Sequence, residues 1–74
     1  MNQEKLEEYR RKYPKGTVVE LTAPIREAYS PKPAGAKFKV DYVDDMAQLQ
    51  GTWLAPQTGS IAIIIGEDSF KVVK

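Results

Sequence analysis

Residues 17–73 are cut into short β-rich runs by closely spaced turn residues, so the chain can build only a small sheet structure. Residues 17–22 are rich in β-branched side chains and follow the turn formed by Pro14, Lys15 and Gly16. Residues 36–43 alternate cleanly, with Phe38, Val40 and Tyr42 on one face and Lys37, Lys39 and Asp41 on the other, a half-buried strand with a solvated outer face. In residues 48–54, Leu49, Gly51 and Trp53 share a face, and a glycine inside a strand marks a bend or a close approach. Residues 60–65 are apolar on both faces through Ile61, Ala62, Ile63, Ile64 and Ile65, and residues 70–73 form a brief last run. Tight turns at 44–47, 56–59 and 66–69 separate the later runs. Residues 23–35, with three prolines and little periodicity, read as one long loop.

Ahead of these runs, residues 2–13 have a different period. Asn2 fits an N-cap, Glu4 lies in the first turn, and Arg10, Arg11 and Lys12 lie in the last, all matching the helix dipole. Leu6, Tyr9 and Tyr13 form a narrow apolar stripe, and Pro14 stops the helix. A helix this short is marginal alone in water, so the stripe is expected to dock on the end of the sheet structure. The expected architecture is mainly β: a small five-stranded SH3-like barrel (14–74) behind a short N-terminal helix (1–13), in one domain.

A 74-residue chain buries a thin core, and small domains often compensate with a disulfide or a metal. This chain has no Cys and no His, so it lacks both usual staples. The same absence removes a cysteine nucleophile, a His-based triad and a structural zinc site. We therefore expect no enzyme, no cofactor and no catalytic residue. Lys and Arg number 11 against 10 for Asp and Glu, a balance of +1 that is weak for a dedicated nucleic-acid binder. The polar start and the lack of a long apolar run point away from membranes, and the missing cysteines make the cytoplasm the expected compartment.

The run from Tyr13, Pro14, Lys15 and Gly16 through Val19 and Leu21 opens a recognisable pattern. It continues with Val43, Asp44, Asp45 and Met46, then Gln48 and Trp53, and closes on Gly66, Glu67, Asp68, Ser69 and Phe70. Together these resemble the domain of unknown function 4314 family, over about Tyr13 to Val73. The chain departs from the pattern where Phe38, Tyr42 and Ala47 replace glycines, and where residues 54–57 replace an Asp-Asn-Gly type of turn. The resemblance implies a small SH3-like protein of Gram-positive bacteria, phages or mobile elements, and implies no activity.

Several residues are candidates for recognition. Trp53, near Phe38, Tyr42 and Tyr29, either lines a groove for proline-rich peptides or bases or fills the core; alternation favours the core. Tyr29, in the long loop, is the better surface candidate. Arg10, Arg11, Lys12 and Lys15 form a basic cluster at the helix end, with Arg26, Lys32, Lys37 and Lys39 as further members. The cluster reads as a phosphate-contacting patch or as an ordinary helix C-terminus, and Glu7 and Glu8 favour the second. Asp44, Asp45, Glu67 and Asp68 lack calcium-loop spacing, and turn chemistry explains them without a metal. The functional expectation is a binding module for a protein partner, using the long loop and the open side of the isoleucine run. Self-association through that run belongs to the same expectation. The alternative is a nucleic-acid-binding accessory protein using the basic cluster.

Overall fold

The computed structural model describes residues 2–73. The helix, α1, spans Gln3–Lys12; Asn2 caps it, its Oδ1 accepting from the Lys5 N–H at 2.8 Å. Glu4 and the basic last turn sit as the dipole argument expects. Tyr13 ends the helix, its N–H donating to Tyr9 O at 2.8 Å. Leu6 and Tyr13 are buried and Tyr9 half-buried, and α1 packs on β2 (Lys37–Val43). The helix thus docks on its own chain.

The other strands are β1 (Val18–Leu21), β3 (Gln48–Trp53), β4 (Ile63–Ile64) and β5 (Phe70–Val72). They form one antiparallel sheet in the order β4-β3-β2-β1-β5. β1 is therefore flanked by β2 and β5, pairing Val19 with Phe38 on one side and with Val72 on the other. The fold is mainly β, with five strands and one short helix as expected. The sheet does not close on itself, since β4 and β5 remain its two edges.

Alternation along the strands builds the core. Val19, Leu21, Phe38, Val40, Leu49 and Ile63 are fully buried, and each contributes about 1.5–3 kcal/mol by leaving water. Phe38 and Trp53 meet edge-to-face at 4.9 Å between ring centres, and Tyr13 meets Phe70 at 5.6 Å. Trp53 is thus a core residue.

Two sequence expectations need correction. Tyr42 does not join Phe38 and Val40 in the core: it is 58% exposed, and Val43 is buried instead. The pairing of β2 with β3 shifts between Val40, opposite Gly51, and Tyr42, opposite Gln50. This bulge inserts Asp41 without a partner and inverts the alternation after it. Gly51 makes the bulge sterically possible, because a Cβ there would overlap the Lys39 carbonyl oxygen. Second, the isoleucine run pairs only at Ile63–Ile64, opposite Leu49 and Gln48. Ile63 is buried, and Ile61, Ala62, Ile64 and Ile65 are all half-buried, so the run presents no open apolar face.

Candidate binding surfaces

The long loop between β1 and β2 is more ordered than its composition suggests. Ile25 and Lys32 form an isolated antiparallel bridge, each N–H donating to the other's carbonyl at 2.8 and 3.0 Å. Above the bridge, one Glu27 carboxylate oxygen accepts from the N–H groups of Tyr29 and Ser30 at 3.1 and 2.9 Å. Tyr29 stands at the tip, 95% exposed. In the same loop Pro24, Ile25, Pro31 and Pro33, with Arg26, Glu27 and Lys32, line an open cleft of about 580 Å³.

Lys32 is the residue that sequence reasoning placed worst. Its charge groups it with the basic surface, yet it is only 4% exposed. Its ammonium donates to Ser30 Oγ at 2.6 Å and to Ser30 O at 3.3 Å, and lies 5.4 Å from the centre of the Trp53 ring. The ion pairs among the described residues are Lys5–Glu8, Arg10–Asp45 and Lys71–Glu20, so none involves Lys32. Trp53 is itself fixed by its Nε1–H, which donates to Ile61 O at 2.9 Å. Gly59 completes the joint: a Cβ there would come within 2.8 Å of Ser30 Oγ. The long loop is thereby pinned to the core through one buried cation. A lysine among prolines reads as exposed, and Trp53 and Gly59, neighbours only in space, make it otherwise.

The basic cluster divides. Arg10 is committed to the fold, its Nε donating to Val43 O at 3.1 Å and its terminal nitrogen to Asp45 at 2.9 Å. Arg11, Lys12 and Lys15 are exposed, with the Lys12 ammonium 5.6 Å from the Tyr13 ring centre. Lys37 and Lys39 are also exposed, but on the outer face of the sheet rather than at the helix end. Between the helix end and the bulge lies a cleft of about 180 Å³, lined by Arg10, Tyr13, Pro14, Lys15, Asp41 and Tyr42.

The acidic turns do what turn chemistry requires. Asp44 Oδ1 accepts from the N–H groups of Met46 and Gln48, both at 2.9 Å, and Oδ2 from the Gln50 amide at 2.8 Å. Partial desolvation pushes the Asp44 pKa up, but these hydrogen bonds and the Arg10 charge together outweigh it and hold the carboxyl below its ordinary 3.8. Asp68 accepts from the Ile64 N–H at 2.8 Å. Among the described residues no group of three acidic side chains is arranged to hold a metal ion, and no helix is long and apolar enough to cross a membrane.

The model of the family described as Domain of unknown function (DUF4314) matches residues 2–73. The chain belongs to that family. The match takes in α1 as well as the sheet, so in this DUF4314 chain the helix lies within the matched region, upstream of the motifs between Tyr13 and Phe70. No curated protein and no solved structure matches the chain.

Proposed function

We propose that this DUF4314 chain is a small non-enzymatic binding module that engages a protein partner through the loop between β1 and β2. The observation that carries the reading is Tyr29, almost wholly exposed on a loop held by the Ile25–Lys32 bridge, the Glu27 carboxylate and the Lys32 joint. An aromatic side chain presented on a fixed loop loses little entropy on binding, which is what an interface anchor needs. The proline-walled cleft in the same loop offers an apolar seat for a partner side chain. Self-association through the isoleucine run draws less support, since that run is largely covered.

An SH3-like reading of the fold accompanies this proposal. It draws on the long loop after the first strand and on the adjacency of β1 and β5. Cytoplasmic residence and carriage on a phage or mobile element belong to the same reading, supported by the lack of cysteine and by the family resemblance.

The test compares wild type with Tyr29→Ala as baits in host lysate, followed by titration of the captured protein. Loss of an anchoring aromatic is expected to weaken the partner by at least about 30-fold. Unchanged far-UV circular dichroism will show the fold intact. An identical set of captured proteins, bound as tightly by both baits, sinks the proposal. A second reading, nucleic-acid binding, is favoured by one specific observation: Tyr42 is turned outward beside Lys15.

A further inference from the structure

We infer that the face formed by β2, the bulge and the end of α1 is a site for single-stranded nucleic acid, with one base stacked on Tyr42 and the strand's phosphates held by Lys15, Lys37 and Lys39. This rests on the second reading above and is independent of Tyr29 and its loop.

The bulge is the starting observation. Strict alternation along β2 puts Tyr42 inside and Val43 outside; the shift between Val40 and Tyr42 exchanges them. The aromatic ring therefore stands on the solvent face of the sheet, where a bulge commonly re-aims a side chain. On that face Lys37 and Lys39 precede it along the same strand, with Thr52 opposite Lys39 and Gln50 opposite Tyr42. The two lysines are one pleat repeat apart, about 7 Å, close to the phosphate repeat of an extended strand. Lys15 approaches from the other side, lining the same cleft as Tyr42.

The cleft has the dimensions and the chemistry for one base. Its volume of about 180 Å³ is enough for a single planar ring system. Tyr42 supplies a stacking surface, and every base has a π-face to offer it. Double-stranded nucleic acid hides those faces, which is why the inference is restricted to single strands. Asp41 is the dissenting charge. Its carboxylate repels a phosphate, but it accepts hydrogen bonds from an exocyclic amino group, as acidic side chains do from cytosine N4. That gives the site a direction: amino-bearing bases in the cleft, phosphates out along the lysines. The other acids at this face are engaged: Glu20 stands beside Lys37 in register and lies 4.0 Å from the Lys71 ammonium, and Asp44 accepts from the Gln50 amide at 2.8 Å.

The test is fluorescence anisotropy with the intact chain and labelled oligo-dC of about ten nucleotides, a length within the span of one small β domain. At low salt, oligo-dC is expected to bind, oligo-dT more weakly, and a duplex of the same length more weakly still. Tyr42→Ala should reduce affinity for oligo-dC by about 5- to 150-fold, while Tyr42→Phe retains it. Lys15→Gln and Lys39→Gln should each lower the salt slope by about 0.7. All three positions are exposed, and the near-ultraviolet signal of Trp53 verifies that each variant is folded. The inference is overturned by no binding at low salt, or by equal binding to Tyr42→Ala. It is equally overturned if a polyglutamate peptide binds as tightly as oligo-dC, because the face is then only a patch for polyanions. A Tyr29→Ala chain that loses its protein partner yet still binds oligo-dC separates the two proposals.

Discussion

Gly51 and Asp44 show how much of this small fold hangs on single atoms. At Gly51 the missing Cβ lets the Lys39 carbonyl approach across the bulge. Gly51→Ala forces the two strands apart where β2 and β3 share their longest pairing, and overpacking of this kind costs about 1–3 kcal/mol. Urea unfolding should show that loss as a lower midpoint with an unchanged slope. Asp44 acts through charge. Its pKa is depressed in the folded chain, so the stability it contributes is full above its ordinary 3.8 and is lost as pH falls through the lower folded value. Urea midpoints between about pH 6 and about pH 2.5 should therefore fall more steeply for wild type than for Asp44→Asn. Equal slopes would mean that the turn does not sense this carboxylate's charge. Neither effect needs a ligand.

The helix and β2 teach opposite lessons about what can be read ahead of a structure. The helix was legible because its determinants are local: the Asn2 cap, Glu4, the basic last turn and Pro14 all lie within or beside it. Tyr13 and Tyr9 pack into the sheet's core, and Leu6 is buried one turn earlier on the same stripe. Leu6→Ala should cost about 2–3 kcal/mol, whereas Glu7→Ala on the exposed side should stay within about 0.5 kcal/mol. Thermal unfolding by circular dichroism distinguishes the two; similar shifts would show that the apolar stripe does not hold the helix down. β2 was legible only as far as Val40. Beyond it, the side chain that faces inward is decided by the partner strand, and Gly51, opposite Val40, was the one signal in the sequence that a bulge was there. The isoleucine run failed for a related reason. Its β propensity extends over 61–65, but β3 offers pairing partners only for Ile63 and Ile64.

At the scale of the whole chain, core membership followed from alternation, and Trp53 fell inside as expected. Lys32 did not follow, because its burial depends on a tryptophan and a glycine that reach it only after the sheet is assembled. The recognition surfaces were half legible for the same reason. Tyr29 could be picked from its loop, whereas Tyr42 required the fold. The charge balance is close to neutral overall, yet exposed lysines gather on the β2 face and at the helix end. Averaged composition therefore understated the local field.

The position of β1 between β2 and β5 has a consequence for the nascent chain. β1 is made about fifty residues before β5, its neighbour on one side, a separation that delays pairing. Until Phe70–Val72 emerge, one side of β1 stays unpaired, and the partly made chain carries an unsatisfied strand edge. Ribosome-bound chains halted before Phe70 should be cut readily by protease, and chains given an added linker long enough to bring Val72 clear of the ribosome should resist it. Synthesis of this protein would then be the most vulnerable period of its life.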